Sequence, residues 1–181
     1  MLKKHIKNQI LLNIVEFAIV VVIAVIIYLL LNNFVIKTGR IDGPSMEPTL
    51  NHGDFVFISK TPYYAKKPQM GDIIAFPHPS IPDYELVKRV IGVEGDVVDY
   101  VNYVFYINGE ELPAQYQREQ GGGYNVEFPV TVPEGHVFVL GDNRLQSDDS
   151  RKAEIGCIDI KTVYGKVVFR LMPFSEIGIV K

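Results

Sequence analysis

The chain has 181 residues, a net charge of -3 and its longest apolar run near the N-terminus. With no basic excess it lacks the electrostatic footprint of a nucleic-acid binder, and its single cysteine, Cys157, excludes an internal disulfide and a sulfur ligand cluster alike. About 150 residues follow the apolar run, enough for one domain with a packed core.

The first element in chain order is that run. Phe17 to Leu31 carries no charge, and extending it back through Ile10, Leu11, Leu12, Ile14 and Val15 gives 22 residues. As a helix these cover about 33 Å at ~1.5 Å per residue, enough to span a bilayer. Asn13 and Glu16 interrupt only the first turns, and Tyr28 suits the aromatic belt at the far end. Lys3, Lys4 and Lys7 form a basic head that a cleaved secretory signal would share. The run exceeds a signal core, however, and Asn32 to Asp42 has no small-x-small cleavage site, so it reads as an uncleaved anchor. Three lysines before the span against Lys37 and Arg40 after it place the N-terminus in the cytoplasm. The expected organisation is a cytoplasmic segment 1–9, a transmembrane helix 10–31 and an extracytoplasmic β domain 32–181.

Past residue 40 the pattern is β throughout. Phe55 to Ser59, Ile73 to Phe76, Glu85 to Val93, Val97 to Ile107, Val137 to Leu140 and Gly165 to Arg170 are short runs rich in Val, Ile, Phe and Tyr, bounded by turn formers. Asn108-Gly109 predicts a two-residue hairpin, since a primed turn needs positive φ at both positions. Gly-Asp punctuates the chain at 53–54, 71–72, 95–96 and 141–142, and Gly121-Gly122-Gly123 marks a flexible loop. The fold class expected is mainly β, an antiparallel folded-sheet or barrel-like domain carried by one N-terminal transmembrane helix.

Ser45 stands between two prolines in Gly43-Pro44-Ser45-Met46-Glu47-Pro48, fourteen residues past Leu31. A serine needs a base to become a nucleophile. The four histidines are poor candidates: His5 falls on the other side of the bilayer, His52 precedes the Gly53-Asp54 turn, His78 sits between two prolines and His136 opens a strand. Nor does the segment match the G-x-S-x-G elbow of α/β-hydrolases. Lys88 is the other option, in the strand-like run Tyr84 to Gly92. If it points inward while Arg89 points out, strand alternation places the amine in apolar surroundings and desolvation disfavours its charge. A stem that snorkels its head to solvent fits the same pattern, so the residues alone leave both readings open. A third block, Gly141 to Arg151, packs turn formers, hydroxyls, acids and two arginines after the strand Val137 to Leu140. It reads by itself as a solvated acidic loop, and its spacing fails a calcium-binding EF-hand.

Taken in order, S-M-E-P-T-L at 45–50, G-D-I-I-A-F at 71–76, K-R-V-I-G-V-E-G-D at 88–96 and G-D-N-R-L-Q-S-D-D-S-R at 141–151, together with the anchor, resemble the type I signal peptidases in their single-pass Gram-positive form. The resemblance implies a membrane-bound serine endopeptidase that removes signal peptides from exported preproteins. Ser45 is the implied nucleophile, Lys88 the general base and Ser147 the serine that orients the lysine. Asp149 and Arg151 match a structural salt bridge, with Asp142 and Asn143 shaping the same turn. Ile41, Met46, Leu86 and Val87 match positions of small apolar pockets for the P1 and P3 side chains. Gly43 stands where some members carry a serine that completes the oxyanion hole, Pro44 occupies a position more often Gly or Asp, and Lys152 to Gly156 is about two residues longer than the usual link. No metal or cofactor is implied; the partners are preproteins and the lipid bilayer, and the oligomeric state is left undetermined. Two other classes compete with this reading: a catalytically silent relative assisting assembly of surface proteins, which would be expected to lack Ser45 or Lys88, and the Ser-Lys self-cleaving repressors, against which the anchor and the missing DNA-binding motif count.

Overall fold

The computed structural model describes residues 2–117, 121 and 123–180, with the side chains of 2–11 and 31–34 excepted. Gly122 of the expected flexible run and the side chains of Lys3, Lys4, His5 and Lys7 lie outside the described residues. The chain divides into two compact units, Met1–Ile36 and Lys37–Lys181.

The first unit is a helix, α1 (Leu2–Phe34). Within it Leu12–Leu30 is long and apolar enough to cross a membrane, and none of that stretch is buried inside the protein.

The second unit is built from antiparallel β-sheets. In chain order the strands are β1 (Ile36–Arg40, at the unit boundary), β2 (Phe55–Ser59), β3 (Ile73–Pro77), β4 (Glu85–Val93), β5 (Val97–Val101), β6 (Val104–Ile107), β7 (Glu110–Glu111), β8 (Val130–Thr131), β9 (His136–Leu140), β10 (Ile158–Asp159), β11 (Gly165–Met172) and β12 (Gly178–Ile179). The larger sheet runs β1-β2-β11-β3-β4-β9-β10, with β12 added to β11; the smaller runs β7-β6-β5-β8. Asn108 and Gly109 both have positive φ, 55° and 84°, and close the β6–β7 hairpin as expected. The run Val97 to Ile107 is two strands rather than one. Asn102 and Tyr103, at φ 50° and 67°, make a second tight turn. A tyrosine in that conformation carries no sequence signal, because side chains other than Gly and Asn rarely adopt it.

Strand alternation sorts the core. Ile73 and Ala75 of β3 face a cluster with Ile41, Met46, Leu50 and Val56, whereas Ile74 and Phe76 face one with Leu86, Val90, Val137 and Val139. Ile91, Phe138 and Leu140 meet Val98, Phe105 and Ile107 of the smaller sheet. Both faces of β4 and β9 are therefore covered, which is why His-Val-Phe-Val-Leu reads as a continuous apolar run instead of an alternating one. Each such aliphatic side chain taken from water contributes ~1.5–3 kcal/mol. The same covering corrects one expectation. Arg89 does not point out to solvent; it is 2% exposed, because the face opposite Lys88 is also interior.

Candidate active site

The segment from Gly43 to Leu50 is a compact turn. Pro44 fixes its own φ, its carbonyl accepts from Glu47 N–H at 3.0 Å, and Leu50 N–H reaches Met46 O at 2.9 Å. Met46 and Leu50 are buried in the core and pin the turn from below. At its base Ile41 N–H bonds Asp54 O and Gly53 N–H bonds Ile41 O, each at 2.8 Å. Ser45 is left half-buried, and its N–H has no hydrogen-bond partner among the described residues.

β4 brings Lys88 to this turn. In register Lys88 is paired with Ile74, and it shares strand parity with Leu86 and Val90. Its Nζ lies 2.8 Å from Ser45 Oγ and 3.1 Å from Val87 O, and the residue is 2% exposed. Burial lowers the Lys88 pKa from 10.5 to about 8, against the opposing pull of the Asp149 and Asp148 charges. At that value about one lysine in ten is neutral at pH 7, several-hundredfold more than an exposed one. Of the two readings the sequence left open, the inward amine is the one found.

The 141–151 loop is held by two buried ion pairs. Arg89 Nε and Nη2 meet Asp142 Oδ1 and Oδ2 at 2.8 and 2.7 Å, and Arg151 Nε and Nη2 meet Asp149 Oδ1 and Oδ2 at 2.8 and 2.9 Å. Both are two-pronged, the geometry in which arginine binds carboxylate most strongly. Asp149 Oδ2 also accepts from Gly141 N–H at 3.0 Å, and Thr49 Oγ1 donates to Asp142 Oδ2 at 2.5 Å, stitching the loop to the serine turn. Asn143 contributes its backbone, donating N–H to Ser45 O at 3.0 Å.

Ser147 is placed differently from the role its motif position implied. Its Oγ is buried and has no hydrogen-bond partner among the described residues, so it makes no hydrogen bond to Lys88 Nζ. It crowds Gly141 instead: a Cβ added there would overlap Ser147 Oγ and stand 2.5 Å from Ser45 O. Gly141 is thus required by the close approach of the loop to Ser45, a constraint on space rather than on φ.

A cleft of about 380 Å³ opens beside Ser45 and Lys88. Ile41, Met46, Leu86 and Val87 all line it, as do Ala75, Ile58, Tyr84, Gln146 and Asp148, which the sequence reading did not single out. Ala75 is one of four consecutive buried residues on β3 and so gave no signal of facing a cleft. Among the described residues no three His, Cys, Asp or Glu side chains are grouped to hold a metal ion.

The site thus sets a serine hydroxyl against a buried amine, on a turn flanked by an apolar cleft. The family described as "Signal peptidase, peptidase S26" matches residues 14–172. The chain belongs to that family. Signal peptidase I of Bacillus licheniformis is 37% identical over 170 residues, 90% of each chain. Signal peptidase IB of Staphylococcus aureus (strain COL) is 36% identical over 180 residues, 91% of this chain and 92% of that one. A signal peptidase I of solved structure, from Enterococcus faecalis V583, is 40% identical with a TM-score of 0.46, covering 56% of this chain and 97% of that one. As a member of the signal peptidase family the chain is a hydrolase, a peptidase of the signal peptidase I type.

Proposed function

We propose that the protein is a membrane-anchored endopeptidase that cuts signal peptides from exported preproteins through Ser45 and Lys88. The observation that carries the reading is a single contact: an amine 2% exposed, 2.8 Å from a serine hydroxyl. Neutral Lys88 takes the proton from Ser45 Oγ as that oxygen attacks the scissile carbonyl. The negative charge that develops on the carbonyl oxygen is met by Ser45 N–H; removing one such donor costs about 3–4 kcal/mol in acyl transfer. The Lys88 ammonium then gives its proton to the leaving amine and the signal peptide's carbonyl stays on Ser45 as an ester. Water, deprotonated by the same lysine, hydrolyses it and returns the enzyme.

Supporting roles are proposed for the surrounding residues. The Asp149–Arg151 and Asp142–Arg89 pairs hold the loop against the serine turn, and Asn143 fixes Ser45 O. Ser147, buried against Gly141, backs the serine turn. Ile41, Met46, Leu86 and Val87 narrow the cleft, which favours small side chains at P1 and P3. Residues 10–31 act as the anchor, with 1–9 in the cytoplasm and 32–181 outside the cell, where exported preproteins emerge.

The test is incubation of the full-length protein in detergent micelles with a labelled preprotein, followed by N-terminal sequencing of the product. Cleavage after a small-x-small sequence by the unsubstituted chain, and none by Ser45→Ala, is expected. Equal cleavage by Ser45→Ala would refute the reading.

A further inference from the structure

We infer that His52 is a positioning residue for the nucleophile turn, holding Gly43 through an unprotonated Nδ1 and letting it go when the imidazole gains a proton. The inference rests on Ser45 as the nucleophile.

Gly43 N–H donates to His52 Nδ1 at 3.1 Å, and Asp42 Oδ1 lies 3.4 Å from the same nitrogen. One nitrogen cannot satisfy both neighbours in one state. Bare, Nδ1 accepts from the Gly43 amide and presents only a lone pair to the carboxylate. Protonated, it becomes a donor, loses the amide and pairs with Asp42. Arg40, Asp54 and Glu176 line the same surface hollow as His52. Asp54 and Glu176 are engaged by Arg170 Nη1 at 2.7 and 2.9 Å, which leaves Asp42 as the carboxylate nearest the ring.

The contact reaches the chemistry through the turn. Downstream, Ser45 is fixed by Asn143 N–H on its carbonyl and by buried Met46; upstream, Ile41 is bonded to Gly53 and Asp54. Pro44 has no N–H, so among the described residues the bond to His52 is the only one made by the amides of residues 42–44. Gly43 adopts φ +89°, and nothing lies within 4 Å of where its Cβ would be, so neither a side chain nor packing restrains it. A shift at Gly43 is transmitted through rigid Pro44 to the Ser45 N–H, the group that meets the oxyanion.

The experiment uses the full-length protein in micelles, labelled with ¹⁵N-glycine. The Gly43 amide and the His52 ring are followed from about pH 5 to 8, the range in which histidine ordinarily changes charge. In parallel, kcat and KM for a preprotein are measured across that range. The Gly43 amide resonance should move in step with the His52 titration. His52→Ala should lower kcat about 3- to 10-fold with KM unchanged, the size of one net hydrogen bond. His52→Asn, whose amide oxygen accepts in place of Nδ1, should restore kcat to within about twofold. It should also make the acid fall in kcat shallower than in the unsubstituted chain, since one protonation then opposes catalysis and not two. A Gly43 amide that stays still while His52 titrates, or a His52→Ala enzyme with unchanged kcat and acid slope, would overturn the inference. Failure of the Ser45 reading shows separately, as cleavage retained by Ser45→Ala, whereas the Gly43 titration is read on the unsubstituted chain.

Discussion

Arg89 and Asp142 form a two-pronged buried ion pair one residue along β4 from Lys88, with side chains 2% and 1% exposed. It couples the strand that carries the amine to the loop that holds the serine turn. Taking the carboxylate away from a buried guanidinium costs about 3–5 kcal/mol, whereas replacing both partners by apolar residues is often neutral. Asp142→Ala should therefore lower stability by that amount in denaturant unfolding, and Arg89→Met with Asp142→Leu should recover most of it. Activity should not return with the double variant, because Asp142 also receives Thr49 Oγ1.

Gly141→Ala tests the close approach of the loop. The added methyl would overlap Ser147 Oγ and stand 2.5 Å from Ser45 O, so the serine turn must yield. A displacement near 1 Å at a reacting group costs on the order of 100-fold. Preprotein assays should show kcat reduced at least that much, with circular dichroism unchanged.

Lys88 works against the fold it serves. Its pKa falls from 10.5 to about 8 in the folded protein, so below pH 8 both states hold the proton and the full cost is present. Between about 8 and 10.5 the unfolded chain binds the extra proton, and stability rises with pH. At ~1.36 kcal/mol per pKa unit the cost is about 3 kcal/mol. Lys88→Met should thus be inactive yet more stable at pH 7 by up to about that amount. Its advantage should shrink toward pH 10 when both proteins are unfolded side by side.

Asp148 tunes the same amine. Asp149 and then Asp148 favour the ammonium, and Asp148 lies exposed on the rim of the cleft. Removing its charge makes Lys88 easier to deprotonate. In Asp148→Asn the acid limb of the kcat profile should move to lower pH, by less than about one unit because an exposed charge is screened, and less still in high salt.

Much of this was legible in the sequence, for reasons that differ between elements. The apolar run, the Asn108-Gly109 hairpin and the runs at 55–59, 85–93 and 137–140 announce themselves because their residue types leave the backbone few alternatives. The Asn102-Tyr103 turn does not, since tertiary pairing of β5 with β6 forces a tyrosine into a conformation that its type disfavours. Strands of two residues such as β7, β8, β10 and β12 are too short for a period to show. In the site, the motif blocks marked Ser45 and Lys88, but alternation predicts only which way a side chain leaves the strand. It could not say that a second sheet covers Arg89, that Ser147 lacks a partner, or that Gly43 and His52, nine residues apart, meet across a turn.

The central claim is that a dry amine at residue 88 removes the proton from Ser45, and Lys88 substitution with a pH series tests it most directly. Cleavage of a labelled preprotein by the unsubstituted chain should rise with pH to a midpoint at about 8, and Lys88→Ala and Lys88→Arg should both show none, the latter because guanidinium cannot give up its proton. Undiminished turnover by Lys88→Ala, with the same pH midpoint, would contradict the account.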